Sequence, residues 1–478
     1  MRFCFVSNSF MSVYMSFVYN GKRARCIKEA NWRGEDMTWL NELVAMRWRQ
    51  EGERYAKNVN EFVRKGLTEG WDAVDEGALQ EDGRRELAEQ VFGMVAAANE
   101  AGDIEQLRSA LPPATWPLLG AFEDRIQAVK SLFFIDEHTI VFRAGATWEA
   151  GCIYVGSEEG DTRQFEHITL VGRSPNCETY ALVDEEGIRT LRGIHNDLTG
   201  ELLHSFSWND ILDSIKSLGC PMQSLADAEQ PHEQLTEIIP FADGKKLIVV
   251  SNLGIYLIEA GVAKLLHPSA EEIEDWSSDD VEAIWLDMVH AALSHDEKHI
   301  ALGSQGSSHL LYDAEGNLKA EIYPESSYPH CCLFSGDDER ILFNSCHFYN
   351  GITLSASIQE ALASSPLEAG EEDIIEDGAR VYAAAVRGDE MILGDAYGYL
   401  RTVRLDGALS WQHFLGSTIS GITVSPSGKR LAVGSYGGML HLLDLDTDER
   451  DPYAIGTAAH RELARWIVWK GLEQPLQW

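Results

Sequence analysis

Apolar residues between positions 129 and 446 follow a short period and a long one. Over short stretches they alternate, as in Ile422-x-Val424 and Leu431-x-Val433, which puts them on one face of an extended strand. Tight polar turns separate the stretches: "SPSGK" at 425–429, "DGKK" at 243–246 and "GDDE" at 336–339. Pro, Asp and Gly supply the backbone angles such turns need. The long period emerges when residues 425–444, "SPSGKRLAVGSYGGMLHLLD", are laid over 294–313, "SHDEKHIALGSQGSSHLLYD". At an offset of 131 without a gap, eight of the 20 positions are identical. Leu431 also matches Ile300, and Val433 matches Leu302.

An offset of 131 is too long for one supersecondary unit. One third of it is about 44 residues, the length of a four-stranded propeller blade. Intermediate copies are present. "SGDDERILFNS" at 335–345 fits "SHDEKHIALGS" at 294–304 with an offset of 41. "GDEMILGDAYGYLRTVRLD" at 388–406 and "DGKKLIVVSNLGIYLIE" at 243–259 repeat the order strand, turn, strand, acid, and 129–145 and 179–193 read as degenerate copies. Unit starts fall near residues 129, 168, 236, 288, 330, 381 and 420, with insertions at 208–233, 268–286 and 357–378. The Gly ending each second strand points to close approach or positive φ. The prediction is a mainly β chain: a seven-bladed β-propeller at 119–450, whose sheets stack because none can bury both faces alone.

Outside that span the pattern is helical. Leu40, Leu43, Val44 and Trp48, then Tyr55, Val59, Phe62 and Val63, predict a helix capped by Thr38. Leu87, Val91, Phe92 and Val95 predict a second helix ending on Gly102, and Asp103 with Gln106 predicts a capped third. The helical region is therefore 37–118. Residues 451–478 form a Trp-rich tail in which Leu463, Trp466, Ile467 and Trp469 predict a short C-terminal helix stopped by Gly471. Within the segment 1–36, residues 3–19, "FCFVSNSFMSVYMSFVY", are apolar but broken by Ser and Asn, and make a poor signal peptide. They read as a strand pair or as a stretch upstream of a start at Met37. Ring closure is expected from either 16–21 or a segment after Asp448.

The repeats resemble the β-propeller families, most nearly the tryptophan–aspartate repeat type. The slot that often holds Trp-Asp at the end of the third strand here holds Leu443-Asp444, Tyr312-Asp313 and Leu405-Asp406. The Gly-His pair of those repeats is missing, so the resemblance is to a degenerate form. It implies a rigid disc used to bind other proteins.

Charge sharpens the expectation about partners. The formal net charge is −37, yet residues 1–66 hold 12 Lys/Arg against 7 Asp/Glu. The remainder carries −42. Such a body disfavours nucleic acid and anionic membrane and suits a protein partner with a basic surface. The basic arm at 21–28, "GKRARCIK", with Trp32, Trp39 and Trp48, reads as contact with the acidic disc, a partner or nucleic acid. No apolar run reaches 18 residues, so membrane insertion is not expected. Eight Cys without a C-x-x-C pair read as reduced thiols of a cytoplasmic protein.

Few residues suggest chemistry. In the fifth unit His330 and Cys332 begin one strand, and Cys346 and His347 end its hairpin partner, gathering soft ligands near one end. Their spacing is not a zinc-motif spacing, and packed core is the competing reading. "DLDTDERD" at 444–451 spaces acids as a calcium loop begins but lacks the Gly and later Glu. No phosphate loop, nucleophile elbow, H-E-x-x-H or dinucleotide fingerprint occurs. No inward acid or His recurs at equivalent first-strand positions, and no cofactor is expected. Trp466, Trp469 and Trp478 are candidates for a peptide-docking plate, or else pack on the disc rim. The expected function is a non-catalytic interaction scaffold. The alternatives are an acidic inhibitor or immunity-type protein neutralising a basic partner, and a metal-assisted propeller enzyme.

Overall fold

The computed structural model describes residues 39–478 apart from 147, 148, 150, 280, 349, 371 and 372. The predicted strands, start site and cap at 1–38, and the basic arm, lie outside those residues. The chain forms two compact units, one of residues 39–121 with Pro452–Ile455, the other of 122–451 with 456–478.

The first unit is helical. Helix α1 (Glu42–Glu69) buries Val44, Trp48, Tyr55, Val59 and Phe62 on one face. Its cap is Asn41, whose side-chain oxygen accepts from the Leu43 and Val44 amides at 3.2 and 3.3 Å. Helix α2 (Ala88–Ala101) ends where expected, at Gly102 with φ of 75°. Helix α3 (Ile104–Ala110) follows Asp103, but the predicted capping box does not form. The Asp103 carboxylate instead accepts the Trp39 indole N–H at 2.8 Å. A short helix, α4 (Trp116–Leu119), completes the unit.

The second unit is a seven-bladed β-propeller. Each blade is an antiparallel sheet; in the first five the four strands follow one another in sequence, and the last two are five-stranded sheets completed by strands from 455–477. The innermost strands are Val129–Phe134, Leu170–Arg173, Leu235–Pro240, His290–Leu293, Tyr328–Phe334, Val381–Arg387 and Ile419–Val424, each beginning within two residues of the predicted start. Seven apolar clusters each straddle two neighbouring blades. One joins Val141, Val155 and Val171 across blades one and two. Others follow between two and three, three and four, four and five, five and six, and six and seven. The last closes the ring, packing Val129, Phe134 and Phe142 of blade one against Ala432, Leu442 and Trp466 of blade seven.

Two second-strand glycines explain the tight stacking. A Cβ on Gly434 would collide with the Val129 carbonyl oxygen, and one on Gly394 with Ile419. Polar groups reinforce closure: Ser420 Oγ donates to Val129 O at 2.6 Å, and the Ser427 amide donates to the Glu137 carboxylate at 2.6 Å.

The tail corrects one expectation. Residues 463–469 are not a helix: Arg461–Ile467 is a strand hydrogen-bonded to Met439–Asp444, the fourth of blade seven. The unpaired edge of Met439–Asp444 offered a ladder, and Ala464, Trp466 and Val468 alternate into the closing core. The propeller unit thus runs to Trp478, past the expected limit at 450. The segment after Asp448 supplies the completing strand. A helix on the C-terminal side of the chain lies earlier, α7 (Ile358–Ala363), inside the 357–378 insertion. Two more helices, α5 (Trp208–Ser217) and α6 (Ala270–Ser278), lie in the other two insertions. Among the described residues, no helix is long and apolar enough to cross a membrane.

Trp466 is 1% exposed at the closing interface. Trp466→Ala therefore leaves a cavity there and costs about 3–5 kcal/mol in chemical denaturation. Leu409→Ala, at a side chain 50% exposed, changes stability by under about 0.5 kcal/mol.

Buried histidines make the disc acid-sensitive. Burial pushes His290 and His413 down to about 4, and holds His267, His309, His330 and His460 below their ordinary value. All are neutral in the fold near pH 7, and they take up protons on unfolding once the pH falls below about 6.5. Each group near 4 withdraws up to about 3 kcal/mol between pH 6.5 and 4. Glu376, raised to about 7 by burial, and buried Asp395, also raised, act oppositely: as they gain protons in the fold, they favour it more as pH falls from 7 towards 4.5. The histidines outnumber them, so the melting temperature falls steadily from pH 6.5 to 4. A melting temperature flat down to pH 5, followed by circular dichroism, contradicts this.

Candidate functional site

The inner strands surround an axial channel, and one of its mouths collects unusual side chains. A β-bulge recurs near the start of the inner strand, skipping Thr236 in blade three, His330 in five, Tyr382 in six and Ser420 in seven. A bulge turns its extra residue out of the regular alternation and re-aims its side chain. His330, Tyr382 and Ser420 each reach a neighbouring blade in this way.

The geometry around His330 is specific. Arg380 Nε donates to His330 Nε2 at 2.9 Å. A guanidinium has no acceptor, so Nε2 is the unprotonated nitrogen and the ring proton sits on Nδ1. Nδ1 lies 3.9 Å from Cys346 Sγ. Burial first, and the Arg380 charge second, keep this imidazole neutral. Arg380 Nη1 also donates to Phe348 O at 3.0 Å, and the guanidinium lies 4.9 Å from the centroid of the Tyr382 ring.

The array continues across three further contacts. Tyr382 meets His330 edge-on at 4.8 Å and Tyr436 of blade seven at 5.8 Å. Lys130 Nζ of blade one lies 5.5 Å from the Tyr436 ring centroid. Towards the rim, His347 stacks on Tyr328 at 6.1 Å and meets Phe348 edge-on at 4.5 Å. Tyr328 is 39% exposed and Phe348 70%. A band of aromatic rings and cations thus runs from the rim of blade five inward to blades six, seven and one. Glu237, on the innermost strand of blade three, is exposed. Burial raises the Cys331 thiol to about 12.

The four candidate metal ligands are not brought together. His330 and Cys346 face each other, but Cys332 packs with Phe334, Ile341 and Phe343 in the core between blades four and five. His347 is exposed beside Tyr328. The bulge at His330 removes it from the register that would align it with Cys332, and Arg380 fills its outer nitrogen with positive charge. Among the described residues, no three metal-ligating side chains converge. The acids at 444–451 do not converge on an ion either: Asp444 pairs with Arg430 at 3.0 Å and Asp446 with Lys429 at 2.9 Å.

The tryptophan plate is also corrected. Trp466, Trp469 and Trp478 are 1%, 2% and 0% exposed, so none offers a docking face. Trp469 Nε1 donates to Gly437 O at 2.8 Å and its ring meets Phe122 at 5.2 Å. Trp478 lies beneath the Arg465 guanidinium, 6.0 Å from its ring centroid, with its amide donating to Arg465 O. They pack as the alternative reading expected, because each is needed to cover the last blade. Arg380, Tyr382, Tyr436 and Lys130 went unnoticed in the sequence, since their partners lie one or more blades away.

No protein-family model matches the chain, and no curated protein matches it in sequence.

Arg380→Ala leaves the buried His330 Nε2 without its donor and costs about 1–2 kcal/mol. It also removes the second cause of the depressed histidine value. In NMR titration the native His330 ring stays neutral from pH 7.5 to 5.5, and the variant ring gains its proton at a higher pH than the native one.

Proposed function

We propose that this protein is a non-catalytic interaction scaffold, a degenerate tryptophan–aspartate repeat propeller that holds protein partners on its channel-mouth face. The observation that carries this reading is the aromatic–cation band around Arg380. Tyr328, His347 and Phe348 stand exposed on it, while hydrogen bonds fix Arg380 beneath them. Exposed aromatic residues over a rigid, pre-ordered base favour macromolecular contact, because little side-chain freedom is lost on binding. Seven interlocked inter-blade cores support the same reading, since the disc presents its loops without rearrangement.

The repeat assignment draws support from the third strands of blades four and seven, which end on Asp313 and Asp444. Those carboxylates pair with Lys319 and Arg430 at 2.9 and 3.0 Å. The charge of −42 on residues 67–478 supports a partner whose contact surface is basic, in the cytoplasm. The same charge favours a second reading, an acidic inhibitor of a basic protein, which differs only in what the partner does once bound. A propeller by itself does not decide against catalysis, so the absence of chemistry is part of the proposal.

Affinity capture of the tagged full chain from the cells that encode it, with the recovered proteins identified by mass spectrometry, tests this. At least one protein is recovered in near-stoichiometric amount at low salt and lost above about 0.5 M salt. The triple variant Tyr328→Ala, Phe348→Ala, Arg380→Ala recovers less of it while remaining folded. Capture of no protein partner overturns the scaffold reading.

A further inference from the structure

Two insertions on the channel-mouth face fold onto each other. Residues 208–234 lead from blade two to three, and 268–289 from three to four. The Gln223 amide donates to Glu282 O at 2.9 Å, and the Ile284 amide donates to Gln223 O at 2.9 Å, a parallel bridge between the insertions. Beneath it Met222, Ile273, Ile284 and Leu286 bury one another, with Trp276 packed at the side. The segment is held from below as well: the Leu286 amide donates to Asn252 O at 2.8 Å.

This anchoring decides what faces outward. Ile284 and Leu286 are 0% and 4% exposed, so alternation turns Trp285 into solvent at 68%. Val281 is 44% exposed on the same segment. A large indole held outward by an ordered backbone marks an interaction surface rather than a frayed loop. The insertions are one-sided in charge. The two insertions together hold thirteen carboxylates against one lysine. Glu272 is engaged with Ser269 and lies 3.7 Å from His267. Glu274, Asp275, Asp279, Glu282 and Asp287 form no ion pair among the described residues.

We propose that this platform docks an extended, lysine- or arginine-bearing segment of a partner protein, with a cationic side chain laid over Trp285. The aliphatic stem covers Val281 and the indole, and the charged head sits over the ring face and among the carboxylates. The occupant follows from charge complementarity: an exposed indole carried on a strongly acidic segment, with Glu282 and Asp287 close in sequence, repels acidic segments and anionic surfaces and attracts cations. This names the partner chemistry of the scaffold reading and rests on it.

The test uses the folded full chain and two synthetic probes, an arginine octapeptide and a glutamate octapeptide, titrated by calorimetry. The arginine probe binds and the glutamate probe does not. Trp285→Ala, at an exposed position, keeps the melting temperature and weakens the arginine probe roughly fivefold. The reversal Asp279→Lys with Glu282→Lys weakens it roughly tenfold or more. The same charge change at Glu185 and Glu186, exposed in the second-blade turn, leaves binding unaltered. Absence of binding, unchanged binding to Trp285→Ala, or equal losses from the two reversals overturns the proposal. Failure here with partners still captured removes this surface alone, whereas peptide binding without any captured partner removes the scaffold reading.

Discussion

The whole structure depends on one constraint: a small antiparallel sheet has two apolar faces and no means of covering both. Stacking neighbours around an axis covers them, and the ring is complete only if the first sheet meets the last. The contact of Val129, Phe134 and Phe142 with Ala432, Leu442 and Trp466 is therefore the one the other six interfaces rely on. Backbones approach closely there because Gly434 leaves room for the Val129 carbonyl. The tail strand Arg461–Ile467 matters for the same reason, since without it Met439–Asp444 would present an open edge.

Regular blades make a frame, and local departures from regularity make its surface specific. The bulges at His330, Tyr382 and Ser420 occupy equivalent positions, yet the three side chains do different things. Ser420 ties blade seven to blade one. Tyr382 links rings across three blades. His330 accepts from an arginine and so is fixed in one tautomer. Fifth-blade residues that look like metal ligands become instead the inner end of an aromatic–cation band. The Arg380 guanidinium satisfies that imidazole with a donor the chain carries itself.

Insertions follow the same logic. Those at 208–234 and 268–289 emerge side by side because consecutive blades are neighbours in space, and they share a small core that neither could form alone. That core sets the alternation that exposes Trp285, so a folding requirement of the platform creates its outward face. The same segment carries Asp279, Glu282 and Asp287, which form no ion pair among the described residues, so the acidity of the chain is concentrated on the insertion that exposes the indole.

Alternation, turn residues and the 131-residue offset were enough to determine seven units, their starts and the positions of the insertions. These are properties of short stretches, where side-chain direction and backbone angles are set within a few residues. The helix α2 stop at Gly102 was legible for the same reason. The tail was not: 463–469 fits both a helical stripe and an alternating one, and only the free edge of Met439–Asp444 decided between them. Nor could the sequence tell that Trp466, Trp469 and Trp478 face inward, because covering the last blade is a demand of the closed ring. The site was decided entirely by tertiary structure, since Lys130, His330, Arg380 and Tyr436 lie on different blades or loops and meet only when sheets far apart in sequence come to share one channel.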